Sequence, residues 1–283
     1  MPSLSGFLIA LAVLHAALGF GAAACVEFGW RHQAAQVVFD AMFFADTGLL
    51  GAWAGLGRHS RKMGFIGVSL GLIYLGTLAA VGLRRSPYGR VGAADDDYVV
   101  AWIWLLLLAL AMVTIAVMMA AALALRQRKI RLVRYGTDSR GIQEGDPLQF
   151  SILQLMLLVF VVAVLVKLGP FARAHLDDYQ SYVSSLVVVA AGGLCFGGVA
   201  FLASWAALAT RRPVIGSLAA VALAAPIGLV PPYYFPQFFP LDFAGTAATT
   251  ALQAVVVAGT LLAVRTCGYR LVCHQIISTS DAG

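Results

Sequence analysis

Charge is what this sequence has least of. Only 11% of its 283 residues are Asp, Glu, Lys or Arg, while 61% are Ala, Val, Ile, Leu, Met, Phe, Trp, Tyr or Cys. An average soluble domain carries roughly 25% charged residues. A soluble core of this length cannot hide so much apolar surface, so lipid is the solvent for most of the chain. The same scarcity of charge excludes a disordered chain and a nucleic-acid-binding domain. Four cysteines supply no disulfide framework. Long polar connections are missing too, which leaves no room for a soluble domain.

What the sequence has in quantity is long apolar runs. A helix needs about 20 mainly apolar residues to cross a bilayer core of roughly 30 Å. Eight stretches meet that length: 3–25, 36–57, 63–83, 98–125, 148–168, 183–209, 214–235 and 243–264. They are too long for barrel strands and do not alternate. The fold expected is therefore all-α: a polytopic transmembrane helix bundle of about eight spans, forming a single integral membrane domain over 1–283. Ala22-Ala23-Ala24-Cys25 spells a degenerate cleavage site, but no basic residue precedes the first run, so it is read as a span. With the N-terminus inside, thirteen Lys and Arg fall on the cytoplasmic side and six on the other. That asymmetry puts both termini in the cytoplasm and the chain in a cell inner membrane.

The longest polar connection, the basic cytoplasmic loop 126–147, divides the spans four and four. No residue-level repeat is evident between the halves. Arg126, Arg128, Lys129, Arg131 and Arg134 lie in this loop and can contact anionic lipid headgroups. Their first role is to orient the spans on either side. No nucleic-acid partner is expected.

Just after that loop runs Leu148-Gln149-Phe150-Ser151-Ile152, followed by a Leu/Val-rich stretch. This segment resembles one recurring in uncharacterised multi-span membrane proteins of planctomycete bacteria. The resemblance implies a bacterial membrane protein and attaches no activity to it. The charged residue that usually follows the Ser in those proteins is missing here.

Ionisable side chains inside spans are costly, about 2.5–3.5 kcal/mol for an Asp at a helix centre, and mark functional positions. His15, Asp46, Tyr74 and Gln253 each lie nine or ten residues from the outer end of their span. Short loops join the first three spans, so His15, Asp46 and Tyr74 are expected to meet near the midplane. As a functional site they would form a proton relay or anchor a small polar ligand. As a packing device they would be an interhelical hydrogen-bond cluster worth about 0.6 kcal/mol per bond. Asp40 is a second carboxyl in the same span as Asp46.

Other signals carry less. Glu27, His32, Asp95, Asp96, Asp97, His175, Asp177, Asp178 and Asp242 collect on the outer side without metal-ligand spacing, and are read as solvated loop charge. Gly67-Val68-Ser69-Leu70-Gly71 lies inside a span, where a nucleophile elbow cannot form. Asp46-Thr47-Gly48 has no second copy to make a carboxylate dyad. Cys267, Cys273 and His274 lack zinc-finger spacing. No catalytic residue, cofactor or metal is expected. Gly51/Gly55, Gly67/Gly71 and Gly193/Gly197 are small-xxx-small pairs that allow close helix approach. Pro226 is expected to kink its span, and the uncharged run from Pro231 to Pro240 suits the headgroup boundary. The leading functional expectation is a non-catalytic accessory or scaffold component. The second is a proton-coupled or small-solute transporter working through His15, Asp46 and Tyr74.

Overall fold

A computed structural model describes residues 4–27, 32–56, 69–78, 96–127, 130–134, 182–234 and 243–273. The described chain is helical apart from one short two-stranded ribbon. Its helices are α1 (Leu4–Glu27), α2 (His32–Leu56), α3 (Ser69–Leu78), α4 (Asp96–Gln127), α5 (Tyr182–Ala209), α6 (Pro213–Gly228), α7 (Val230–Tyr234) and α8 (Phe243–Thr266). Among the described residues, four segments are long and apolar enough to cross a membrane: Gln33–Ala54, Val188–Ala209, Pro213–Tyr233 and Phe243–Thr266. Shorter apolar helical segments cover Ala10–Ala22, Ser69–Leu78 and Ala109–Ala122. This is a membrane protein. The expected span 148–168 lies outside the described residues.

Lipid offers the backbone no hydrogen bonds, so helices are the natural state of these apolar runs. Several of their threonine hydroxyls are satisfied within the helix as well. Thr47 donates to the carbonyl of Phe43 at 2.7 Å, Thr114 to Leu110 at 2.9 Å and Thr249 to Gly245 at 3.0 Å.

Helix direction follows from side-chain contacts. Phe44 of α2 stacks on Phe196 of α5, and Gly48 lies against Ala200 one turn further along both helices. Gly193 and Gly197 of α5 face Val113 and Val117 of α4 in the same order. Gln253 and Arg265 of α8 reach the carbonyls of Phe196 and Ala207 in α5. So α2, α4, α5 and α8 run parallel and form the centre of the bundle. By contrast α3 runs against α2, with Gly71 beside Leu50 and Tyr74 beside Asp46. Similarly α6 runs against α5 and so against α8: Gly216 lies beside Ala206 and Thr210 at the end of α5, and Gly228 beside Thr250 nearer the start of α8. The close approach expected at Gly193/Gly197 is present: a Cβ on Gly197 would lie 2.9 Å from Val117 Cγ1.

The span containing Pro226 is interrupted at a single residue, Leu229, which itself keeps helical dihedrals of φ −77° and ψ −19°. Proline removes a backbone donor from the helix interior. α6 ends at Gly228, and Leu229 turns with its N–H on the carbonyl of Pro226 at 3.2 Å. The five-residue α7 then follows.

The ribbon was not anticipated from the sequence. β1 (Ile130–Arg134) follows α4 and pairs antiparallel with β2 (Tyr269–Cys273), which follows α8. Gly268, at φ 92°, provides the left-handed residue that reverses the chain after α8. Leu271 is buried with Leu125, Leu208 and Leu261, seating the ribbon on the end of the bundle. Arg131 and Arg134 therefore stand in a paired strand, opposite Val272 and Tyr269, and not in an open loop. Arg126 lies in the last turn of α4, while Arg128 and Lys129 are outside the described residues.

Candidate functional site

The structure brings His15, Asp46 and Tyr74 together. His15 comes from α1, Asp46 from the buried stretch of α2 and Tyr74 from α3. His15 Nδ1 lies 2.5 Å from Asp46 Oδ1, and Tyr74 donates its hydroxyl to Asp46 Oδ2 at 3.0 Å. Both oxygens of the carboxyl thus have a partner. Side-chain exposure is 13% for His15 and 7% for Asp46, so the pair is held by the protein and not by solvent.

A fourth member was missed. Thr260 of α8 places its Oγ1 2.8 Å from His15 Nε2. Thr is neutral and common in spans, and it lies deeper along its helix than an equal-depth count would select. Gln253 was selected by that count and is not in the cluster. Its amide is fully buried nearer the start of α8, donating to the carbonyls of Phe196 at 2.9 Å and Phe44 at 3.4 Å. Asp40, also on α2, accepts from Gln36 at 2.8 Å and is separate from the cluster.

Packing fixes this geometry. Gly19 of α1 lies so close to α3 that a Cβ there would meet the Tyr74 hydroxyl at 3.0 Å and Leu78 at 3.2 Å. Phe20 meets the Tyr74 ring edge-on, with centroids 6.1 Å apart. Leu75 and Leu78 are buried against Phe39 and Phe43 of α2 in the same apolar cluster. The lack of a side chain at position 19 therefore lets α1 and α3 close over the Asp46 carboxyl.

The chemistry open to this arrangement is proton exchange. Thr260 offers a hydroxyl, which can donate or accept. With one proton on the ring, His15 donates from Nδ1 to Asp46 and accepts from Thr260 at Nε2. With two, Nε2–H donates to the Thr260 oxygen and Nδ1–H stays on Asp46. The same Nδ1···Oδ1 contact lets the carboxyl hold the shared proton in place of the ring, with every partner unmoved.

Of the residues expected on the outer side, Glu27, His32, Asp96 and Asp97 stand at helix ends, and Asp95, His175, Asp177, Asp178 and Asp242 lie outside the described residues. Among the described residues no three His, Cys, Asp or Glu side chains are grouped to hold a metal ion. Cys25 is exposed, Cys195 buried and Cys267 half-buried, all as free thiols. No family model, curated protein or solved structure matches this chain.

Proposed function

We propose that this chain is a multi-pass bacterial inner-membrane protein that exchanges protons at His15–Asp46, as a proton-coupled or small-solute transporter. The observation that carries this reading is the hydrogen-bonded sequence Tyr74–Asp46–His15–Thr260, whose terminal hydroxyl serves both protonation states of the imidazole. A packing contact has no need of a titratable pair, which is expensive in lipid where a neutral amide or hydroxyl would hold helices as well.

The eight-span, both-termini-inside topology belongs to the same proposal. It is supported by the parallel run of α4 and α5. Two parallel helices that are consecutive among the described residues are consistent with one more crossing between them, and 148–168 is the apolar stretch available for it. The basic residues Arg126, Arg128, Lys129, Arg131 and Arg134 then lie at the cytoplasmic leaflet, in reach of anionic headgroups. The Leu148–Ile152 resemblance supports a bacterial source.

A second reading, an accessory or scaffold component, is favoured by one observation: every polar atom of the Asp46 carboxyl and His15 ring is partnered inside the bundle. The two separate in liposomes. Purified protein carrying a pH-sensitive dye in the lumen should pass protons or a co-transported solute faster than empty vesicles, and Asp46→Asn should return the rate to background. Wild-type flux equal to that of empty vesicles would leave the scaffold reading.

A further inference from the structure

Residues in matching places in the first and second halves of the chain meet one another. Phe44 and Phe196 stack face to face, with centroids 3.7 Å apart and planes 7° apart. The same sequence offset relates Gly48 to Ala200, which are in contact: a Cβ on Gly48 would fall 2.5 Å from that of Ala200. It also relates Trp53-Ala54 and Leu56 to Trp205-Ala206 and Leu208.

At the ribbon end, Ala124-Leu125-Arg126 precedes Ile130-Arg131-Leu132-Val133, and Ala263-Val264-Arg265 precedes Tyr269-Arg270-Leu271-Val272 at the same spacing. In both copies the helix ends and the strand begins at the same point, Gln127 and Ile130 against Thr266 and Tyr269. The strand register pairs Leu132 with its own counterpart, Leu271. The flanking pairs exchange around it: Arg131 opposes Val272, and Val133 opposes Arg270. A register centred on counterparts is what a two-fold axis through the ribbon requires. Gln253 falls on the same axis, since one amide nitrogen donates to the carbonyls of Phe44 and Phe196.

Helix packing repeats as well. Gly51 of α2 lies against Ile115 and Met118 of α4, and the matching residues Ala203 of α5, with Ala254 and Val257 of α8, share one buried cluster. All four helices are parallel, so the axis runs along the bundle, as in parallel-repeat membrane proteins.

We propose that this chain is an internal duplication of a four-helix unit, its halves related by a pseudo-two-fold axis along the bundle. We further infer that the His15–Asp46–Tyr74–Thr260 centre, built from α1, α2 and α3 of the first half and α8 of the second, is a site present on one side of the axis only, not a packing element common to both sides. Asp46 corresponds to Gly198, and Thr260 of α8 to Ala121 of α4. Aligning Ile66-Gly67 with Ile215-Gly216 sets buried Leu75 on buried Ala224 and Tyr74 on Leu223. A Cβ at Gly198 would meet no described atom within 4 Å. On the other side of the axis the helices pack with no carboxyl, phenol or threonine at these places. This inference stands apart from proton exchange, which neither of its tests measures.

Spin labels test the axis in the full-length, cysteine-free protein in lipid nanodiscs. Positions 38 and 255 have 190 and 116 as counterparts, and all four are exposed. Dipolar spectroscopy on the pair 38/255 and on the pair 190/116 should give coincident distance distributions, and well-separated means would overturn the duplication. The one-sided site is tested by Asp46→Ala, Tyr74→Leu and Thr260→Ala combined, which gives that side of the axis the apolar character of the other. That variant should elute in detergent as the same single species as wild type with its 38/255 distance unchanged. Aggregation, or a changed distance, would show the centre to be a packing element and overturn the second part of the proposal.

Discussion

α2 and the segment α6–α7 are both long enough to cross a membrane, yet they solve different problems. Of an 18-residue apolar window in Gln33–Ala54, 56% is buried inside the protein, against 22% of one in Pro213–Tyr233. α2 carries Gln36, Asp40, Asp46 and Thr47, while α6 presents Val214, Ile215, Leu218 and Leu223 outward. In water the more apolar helix would be the buried one. In lipid the order reverses, because hydrocarbon accepts leucine freely and only protein can partner a carboxyl. α5 shows the other way into the centre: 72% of an 18-residue window in Val188–Ala209 is buried, with Gly193 and Gly197 admitting α4.

Substitutions can break that contrast in order of expected size. Gly193→Leu should do most, because a Cβ at this position already collides with Val113 of α4. We expect a loss of about 3 kcal/mol or more, read as aggregation on size-exclusion chromatography. Next, Leu218→Asp moves a carboxyl from the partnered environment of α2 to the lipid face of α6. It should cost about 3 kcal/mol in insertion and lower the membrane-integrated fraction in a glycosylation-mapping assay. An Asp tolerated there as well as at position 46 would erase the distinction between the two helices. Gln253→Leu removes two donated hydrogen bonds but also an amide oxygen that is buried without a partner among the described residues. The net loss should be about 1 kcal/mol or less in thermal unfolding. Thr260→Val, which keeps the shape and deletes the bond to His15, should cost about 0.6 kcal/mol in stability. Its larger effect should fall on proton flux, since valine cannot serve either imidazole state.

Run length alone indicated where the described helices lie, because lipid permits little else for twenty apolar residues. The meeting of His15, Asp46 and Tyr74 was legible from depth along the spans, since short loops force neighbouring helices to share levels. Depth failed for Thr260 and Gln253, whose helix is distant in sequence and is placed by contacts with α2 and α5. The ribbon was illegible for a different reason. Arg-rich residues after a span read as orienting charge, and nothing local to Ile130–Arg134 announces a partner at Tyr269–Cys273. The correspondence between halves hides in the same way, carried by few residues at offsets that change from helix to helix.

The most direct test of a proton-exchanging centre is carbodiimide labelling of Asp46 in native membranes across a pH series, with the modified residue mapped by mass spectrometry. Such reagents attack protonated carboxyls in apolar surroundings. Labelling of Asp46 that fades as pH rises, and that changes in His15→Ala, is the result expected. An Asp46 that stays unlabelled at every pH, while other carboxyls in the same sample react, would contradict proton exchange and make the cluster a fixed structural contact.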